Sequence, residues 1–279
     1  MTNHTPTFTS SAASGSFTEN ANTTGSSAAH VLSGTMAFKD SDRTDTHTTS
    51  AALKSAVWSG GSGIPAASLA HFSSAMSSQI LTDSSGNGSL KWTFNDPDSD
   101  FDFLAKNQTL VLTYTITVSD NHGGSVKQTV TVTITGTDDK PVIDIGAHAV
   151  VNEQDDHLLS FSPDTAHIAL HFTDPDLTNT GHTASVIGVS ASGNTDGILP
   201  GSLGNAELMA FYHVDNVVKA SGSSSGTINS TFSAPDLAFD YLADGETLDI
   251  TYTVRIDDHA GGITTQTVTV TVVGSVRCV

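Results

Sequence analysis

The chain is poor in cysteine and in basic residues, and each shortage excludes a class of protein. Its single cysteine, Cys278, cannot form a disulfide within the chain. Ten lysines and arginines stand against 29 aspartates and glutamates, which gives a net charge of −19. Phosphate binding needs a basic surface, so we expect no nucleic-acid partner. An anionic membrane surface is disfavoured for the same reason.

Long apolar stretches and a secretion leader are also missing. No apolar run approaches the roughly 18 residues that a membrane span needs, so we expect no membrane insertion. Residues 1–20 contain neither the basic region nor the apolar core of a cleavable signal peptide. The sequence therefore predicts either an intracellular chain or one that is exported by a route that reads no N-terminal signal.

What the chain does contain is a long repeat. The segment FDFLAKNQTLVLTYTITVSDNHGG (101–124) returns as FDYLADGETLDITYTVRIDDHAGG (239–262), with Tyr114 and Tyr252 in matching places. Solenoid repeats are roughly 20 to 50 residues long, whereas this spacing suits whole domains of about 100 to 150 residues. We predict two tandem domains, residues 1–139 and 140–279.

Alternation of apolar and threonine residues predicts the strands. It is clearest at 109–118 and 129–134, where the intervening turn tolerates positive φ, so these segments form a long β-hairpin that recurs in the second copy. Residues 65–81 and 200–218 carry apolar residues at spacings of three and four, which predicts one short crossover helix in each domain. The expected fold is all-β, with two tandem β-sandwiches.

Acidic residues recur at equal places in the two copies. Glu19 pairs with Glu153, and three aspartate pairs behave alike: Asp40 with Asp174, Asp42 with Asp176, and Asp120 with Asp258. Composition alone leaves divalent-cation binding and a merely solvating surface about equally favoured. In a chain with 14% charged residues, recurrence favours the cation.

A further acidic run lies in the first copy only. Asp96, Asp98 and Asp100 have the spacing that opens an EF-hand loop, but no glycine follows at the sixth place and Asn107 stands at the twelfth. A solvated turn is favoured there over a calcium loop, with the calcium role kept as the alternative.

The twelve histidines do not form a zinc or catalytic pattern. Only His47 and His182 match between the copies, and no HxH, HExxH or cysteine–histidine pair occurs. Beside aspartates, we expect these two histidines to hydrogen-bond a carboxylate. No nucleophile, acid–base pair or phosphate loop is placed in a suitable context, so we predict that the chain is not an enzyme.

Together these motifs resemble a known family. The FDYLAxGETL segment, the tyrosine strand, the glycine turn and the exit TGTDDKPVI are similar to VCBS and cadherin-like repeats of bacterial adhesins exported by type I secretion. The DxDxxDxH element (Asp40, Asp42, Asp45, His47) adds to the resemblance, which covers nearly the whole chain. Two units without a longer array are most similar to the small rhizobial adhering proteins (Rap family), which are extracellular, calcium-dependent and bind surface polysaccharide.

The resemblance implies Ig-like, cadherin-like sandwiches and a set of calcium ligands. The implied inter-domain ligands are Glu19, Asp100, Asp102, Asp138, Asp139, Asp174, Asp176 and Asp258. The implied outer half-sites are Asp40, Asp42 and Asp120 in the first domain, and Glu153 and Asp240 in the second. Such all-oxygen sets suit Ca²⁺, which takes 6 to 8 oxygen ligands.

The implied function is a secreted, monomeric calcium-dependent lectin or adhesin of the cell surface or biofilm matrix. Its partner would be an acidic exopolysaccharide or capsular polysaccharide, which bound calcium bridges to a protein of net charge −19. The alternative is a calcium-stiffened spacer of a larger adhesin with no ligand of its own. The sequence does not locate a glycan site. Trp58 and Tyr212 are the candidates for exposed aromatics, and Trp92 is expected in the core.

Overall fold

The computed structural model describes residues 2–61, 63–154, 162–194 and 203–275. The chain divides into two compact units, unit 1 (Met1–Asp139) and unit 2 (Lys140–Val279). Strands make up 55% of the structure and helices 7%, which confirms the predicted all-β class. Cys278 and the start of the second predicted helix, 200–202, lie outside the described residues.

The described residues of unit 1 form a sandwich of two four-stranded sheets. The strands are β1 (Thr7–Phe8), β2 (Ala13–Thr18), β3 (Ala29–Lys39), β4 (Thr48–Trp58), β5 (Met76–Ser84), β6 (Asn87–Pro97), β7 (Thr109–Ser119) and β8 (Ser125–Thr135). Helix α1 (Ala66–Phe72) lies between β4 and β5, and a 3-10 helix (Asp98–Asp100) follows β6. The sheet orders are β1-β3-β6-β5 and β2-β8-β7-β4, with β2 parallel to β8.

The described residues of unit 2 repeat this architecture. Its strands are β9 (Val142–Ile143), β10 (His148–Asn152), β11 (Asp164–Thr173), β12 (Thr183–Gly193), β13 (Tyr212–Lys219), β14 (Ser225–Ala234), β15 (Thr247–Asp257) and β16 (Ile263–Val273). Helix α2 (Asn205–Ala210) lies between β12 and β13, and a 3-10 helix (Asp236–Ala238) follows β14. The sheet orders are β9-β11-β14-β13 and β10-β16-β15-β12.

The predicted hairpins are confirmed as β7–β8 and β15–β16. Every second residue of β7 and β15, from Leu110 and Leu248 onward, is apolar or tyrosine and fully buried, whereas the intervening residues, many of them threonines, are mostly half-buried on the other face. Burial of every second residue removes one apolar face of each strand from water. This stabilises the folded state by about 25 cal/mol for each Å² of apolar surface that is buried. This local pattern suffices to specify register, because a slip of one residue would expose the whole apolar face.

The helices are shorter than the sequence predicts. Helix α1 ends at Phe72, and Met76 and Ile80, which the spacing assigned to a helix, belong to strand β5. Likewise α2 ends at Ala210 and β13 begins at Tyr212. The prediction is wrong here because β5 and β13 complete a sheet by pairing with β6 and β14, and that ladder outweighs the weak helical spacing.

A buried tyrosine ties each helix to the hairpin sheet. The Tyr114 hydroxyl donates a hydrogen bond to the carbonyl of Phe72 at 2.8 Å, and the Tyr252 hydroxyl donates to that of Leu208 at 2.9 Å. The last carbonyls of a helix have no partner within it, and the Tyr114 hydroxyl satisfies that of Phe72. The Leu208 carbonyl accepts the N–H of Phe211 as well as the Tyr252 hydroxyl. The repeated tyrosine therefore ties the last turn of each helix to the hairpin sheet. Helices in the described part of the chain are too short or too polar to cross a membrane.

Candidate functional site

Carboxylates gather at both ends of each sandwich, where the strands give way to loops. We define four groups. The upper group of unit 1 contains Asp40, Asp42, Asp45 and Asp120, and its lower group contains Glu19, Asp98, Asp102, Asp138 and Asp139. The upper group of unit 2 contains Asp174, Asp176 and Asp258, and its lower group contains Glu153, Asp164, Asp236 and Asp240.

The upper group of unit 1 brings three carboxylates to one point. Candidate ligand oxygens of Asp40, Asp45 and Asp120 all lie within 4.8 Å of one another. Asp40 accepts the N–H of Asp42 on Oδ1, and its Oδ2 lies 3.1 Å from Nε2 of His47. The expectation that His47 supports a carboxylate is therefore confirmed.

The N-terminal segment covers this upper group. Asn3 Nδ2 donates to Asp120 Oδ2 at 3.0 Å, and the N–H of His4 donates to Asp42 Oδ2 at 2.6 Å. These bonds from His4 hold the pKa of Asp42 below its usual value. In the repeat, Asn3 and His4 correspond to Asp138 and Asp139, so the second copy has carboxylates where the first has neutral or basic side chains.

The upper group of unit 2 contains a buried ammonium group. Lys219 occupies the strand position of Asp83, since Lys219 pairs with Gly226 as Asp83 pairs with Gly88. Its Nζ donates to the carbonyl of Asp176 at 2.7 Å and lies 4.0 Å from Oδ2 of Asp174. Part of the acidic charge of this group is therefore balanced within the protein itself.

The two predicted ligands Asp174 and Asp258 differ in how many of their carboxylate oxygens already have a hydrogen-bond partner. Asp174 accepts the N–H of Asp176 on Oδ1, and its Oδ2 lies 2.6 Å from His182 Nε2, so both oxygens are engaged. Asp258 Oδ1 accepts three backbone N–H groups, whereas its buried Oδ2 accepts no hydrogen bond from any described residue. A buried oxygen of this kind fits a cation ligand.

Backbone N–H groups of residues 20–25 surround the lower group of unit 1. They donate to Asp98 (from Asn20, 2.9 Å), to Asp139 (from Thr23, 3.2 Å) and to Asp102 (from Gly25, 2.7 Å). Burial, followed by the charges of Asp102 and Asp98, raises the pKa of Asp139 to about 6. Ionised Asp139 is thus costly in the folded protein, and a bound cation would remove that cost.

Asp98 is the member of this group that is best satisfied. Burial by itself would raise its pKa, but hydrogen bonds from Asn20, His30 and Thr23 outweigh burial and lower it. His30 Nε2 lies 2.7 Å from Asp98 Oδ1. Asp98 is therefore hydrogen-bonded by a histidine that the sequence pattern does not connect with it.

Among the described residues of unit 2, no histidine occupies the place that corresponds to His30. Asp164 takes the place of His30, because Asp164 pairs with Ala234 in β14 as His30 pairs with Asp96 in β6. Burial, followed by the charges of Asp236, Glu153 and Asp240, raises the pKa of Asp164 to about 7. Two further carboxylates, those of Asp164 and Asp236, thus lie with the predicted half-site of Glu153 and Asp240. Alignment of the two copies at His30 is the sequence signal that could have found Asp164.

Asp100 does not share the surroundings of the other predicted inter-domain ligands. Its Oδ2 lies 2.6 Å from Nδ1 of His71, and candidate ligand atoms of His71, Asp96 and Asp100 all fall within 4.8 Å of one another. The described residues contain two such sets of three, this one and Asp40 with Asp45 and Asp120. Neither includes Asp102, Asp138, Asp139 or the upper group of unit 2, so those inter-domain ligands remain predictions.

The aromatic candidates for glycan stacking are not on the surface. Trp58 is 7% exposed and Tyr212 is 2% exposed, so the expectation of exposure is wrong for both. Trp58 donates a hydrogen bond to Gln108, and the Tyr212 ring stacks on Tyr252. Trp92 lies in the core, as predicted. Tyr212 was misassigned because its strand register turns the ring inward.

A polar groove lies beside the upper group of unit 1. It has a volume of about 520 Å³, and Asp40 lines it together with Lys39 and Arg43. Both basic residues are exposed. In a chain with only ten lysines and arginines, two of them line the same groove as Asp40, whose buried carboxylate belongs to the Asp40, Asp45 and Asp120 set.

Comparison with known proteins finds likenesses in structure alone. No protein-family model and no curated protein sequence matches the chain. The protocadherin GammaB4 extracellular domain is similar over 97% of this chain and 33% of its own, at 15% identity and a TM-score of 0.41. Human CDH23 EC21-23 is similar over 81% and 58%, at 13% identity and 0.39. The titin domains z1z2 in complex with telethonin are similar over 99% and 100%, at 12% identity and 0.27.

Proposed function

We propose that this chain is a calcium-binding adhesin of lectin type that binds acidic bacterial extracellular polysaccharide. It would be secreted by a type I system and would support cell adhesion or the biofilm matrix. The observation that carries the proposal is the set of Asp40, Asp45 and Asp120, whose oxygens lie within 4.8 Å of one another beside a groove with two basic residues.

Calcium is the ion that suits this set. Two carboxylates about 4 Å apart repel by about 1 kcal/mol even in bulk water, and by more near protein. A divalent cation turns that repulsion into attraction, and Ca²⁺ accepts oxygen ligands in irregular geometry at 2.3 to 2.6 Å. The secreted, type I assignment rests on the sequence resemblance described above.

The groove supplies what an acidic glycan needs. Lys39 and Arg43 are exposed cations, and calcium held by the neighbouring carboxylates would add charge of the same sign. Without calcium, the carboxylates and a net charge of −19 would repel an acidic polymer. Binding should therefore depend on calcium and on these two basic residues together.

The test is binding of the full chain to immobilised xanthan, a glucuronate-containing bacterial polysaccharide, with neutral dextran as control. We expect binding in millimolar calcium and none in EDTA. Replacement of both groove cations, Lys39→Gln with Arg43→Gln, should weaken binding at least tenfold. Calorimetry should show that this variant still binds calcium.

A matched double variant controls for net charge. Lys54→Gln with Lys127→Gln removes two exposed positive charges from the same unit, away from the Asp40 set. It should bind xanthan like the native chain. Equal losses in the two double variants, or full binding in EDTA, would exclude the groove. Calcium binding without binding to any acidic polysaccharide would favour the alternative, a calcium-stiffened spacer.

A further inference from the structure

Three side chains from separate elements meet beside the end of helix α1. His71 lies in the last turn of α1, Asp96 near the end of β6, and Asp100 in the 3-10 helix that follows β6. One candidate ligand atom from each lies within 4.8 Å of the other two, and His71 Nδ1 is 2.6 Å from Asp100 Oδ2. We call these residues the His71 set.

Asp96 is buried in a way that its protein neighbours do not explain. It is only 4% exposed, and its Oδ2 accepts no hydrogen bond from any described residue. Buried carboxylate oxygens are normally satisfied, and this one lies next to a second carboxylate, that of Asp100. A cation at this point would satisfy both carboxylates.

The His71 set stands on a rigid support. The carbonyl of Phe72, the next residue after His71, accepts the Tyr114 hydroxyl, and the Phe72 ring stacks on Phe101 at 5.6 Å. The carbonyl of His71 accepts the N–H and the Oγ–H of Ser74. The end of α1 is thus held against the segment that carries Asp100, which keeps the three side chains together without a metal.

Unit 2 lacks this set completely. Tyr252 bonds to Leu208 as Tyr114 bonds to Phe72, which places Glu207 at the position of His71. Ala234 and Ala238 stand at the positions of Asp96 and Asp100 in strand β14 and in the second 3-10 helix. The support is common to both units, whereas the three polar side chains occur in one. They are therefore no requirement of the fold.

The donor set selects the ion. One imidazole nitrogen and two carboxylates suit Zn²⁺, which is bound by histidine nitrogen at about 2.0 Å and by aspartate oxygen at about 2.0 to 2.2 Å, whereas Ca²⁺ prefers oxygen ligands alone. The His71 side chain is 58% exposed, which leaves the site open to solvent for a water ligand. We propose that the His71 set binds one Zn²⁺ ion in unit 1, separately from calcium.

Calorimetry with zinc chloride tests this on the full chain in saturating calcium, so that the calcium sites are already filled. The native chain should bind one Zn²⁺ ion tightly. His71→Ala and Asp96→Asn should each weaken that binding at least tenfold. His167→Ala removes an exposed histidine of unit 2 that lies outside the set, and it should bind zinc like the native chain.

A spectroscopic measurement separates ligation from a change of fold. Zinc should shift the ring ¹⁵N resonances of His71, with no such shift for His167, and circular dichroism should show that all variants are folded. Equal zinc affinity in all four proteins, or no binding by the native chain, would overturn the proposal. Because calcium is present throughout, either result leaves the calcium and glycan proposal standing.

Discussion

At the scale of single residues, the two units differ mainly in how their buried charges are balanced. His30 hydrogen-bonds Asp98 in unit 1, whereas Asp164 stands at the same place beside Asp236 in unit 2. In the upper groups the basic residue is in unit 2, where Lys219 stands at the position that Asp83 has in unit 1. Substitutions at single positions therefore decide how far each carboxylate group is neutralised by neighbouring side chains.

Removal of the buried ammonium should destabilise unit 2. Lys219→Met keeps the length of the side chain but removes the positive charge that lies 4.0 Å from Asp174 Oδ2 and the hydrogen bonds that Nζ donates to the carbonyls of Asp176 and Asn179. Breaking a buried pair on one side costs about 3 kcal/mol or more. Urea unfolding in EDTA, followed by far-ultraviolet circular dichroism, should show the loss.

The control is Lys127→Met, which removes an exposed lysine from β8 and should change stability by less than about 0.5 kcal/mol. Calcium binding gives a second readout. Without the ammonium, the upper group of unit 2 is more acidic, so Lys219→Met should bind calcium more tightly than the native chain. An unchanged unfolding curve would show that Lys219 does not neutralise this group.

Asp139 should make stability depend on pH when calcium is removed. Its folded pKa of about 6 exceeds the ordinary value of 3.8, so the folded state holds a proton that the unfolded chain has released. The stability it contributes is complete below about pH 4 and is lost as pH rises through 6. In EDTA, Asp139→Asn should therefore be more stable than the native chain at pH 7 and equally stable at pH 4.

Tryptophan fluorescence is the measurement for this prediction, because Trp58 and Trp92 both lie in unit 1. Asp244→Asn, at an exposed position of unit 2, should show no such difference. In saturating calcium the order at pH 7 should reverse, since the asparagine variant has lost a carboxylate ligand. A native chain whose stability in EDTA rises between pH 4 and pH 7 would contradict the assignment.

At the scale of secondary-structure elements, the helix anchored by a tyrosine connects fold and site. The same hydroxyl-to-carbonyl bond holds the last turn of α1 and of α2, but only α1 carries a histidine next to the bonded residue. The tyrosine-anchored helix thus packs on the hairpin sheet in both units, and in unit 1 it would also position the proposed metal ligand His71.

Replacement of each tyrosine by phenylalanine separates these roles. Tyr114→Phe leaves the Phe72 carbonyl without the hydroxyl that it accepts, and should lower the free energy of unfolding by about 1 to 3 kcal/mol. The Leu208 carbonyl keeps the N–H of Phe211, so Tyr252→Phe should lower it less, by about 0.5 to 1.5 kcal/mol. Only Tyr114→Phe should also weaken zinc binding, because it loosens the end of α1. Equal zinc affinity in the two variants would show that the anchor does not position His71.

At the scale of the whole molecule, the net charge of −19 is the dominant feature. Much of it is concentrated at the loop ends of the sandwiches, where several carboxylates are buried. Buried ionised groups without partners are destabilising, so the folded chain should depend on a ligand that balances them.

Calcium removal should therefore lower the melting temperature of the full chain. A ligand that binds only the folded state raises stability by about 2.7 kcal/mol at a hundredfold excess over its Kd. Differential scanning calorimetry in calcium, magnesium and EDTA should give the highest melting temperature in calcium. Magnesium should act more weakly, because it demands near-ideal octahedral geometry. Identical curves in calcium and EDTA would leave the carboxylates as a solvating surface only.

The strands and hairpins of this protein are readable in the sequence because their signal is local. The alternation along Thr109–Ser119 gives class, register and core face at once, since side chains on a strand change face at every residue. The helical spacing at 65–81 was misleading because an apolar residue every three or four positions also fits a strand that pairs with a neighbour, as Met76–Ser84 does with β6.

The sequence by itself determined the repeat, the all-β class and the places where acid recurs, because each is written in residues close together or in direct comparison of the two copies. Tertiary structure alone decided which oxygens are already satisfied. Lys219 reaches the carbonyl of Asp176 across 43 residues, and His71 reaches Asp100 across 29. Whether a carboxylate needs a cation depends on such distant partners and on burial, and neither exists until the sheets have closed around them.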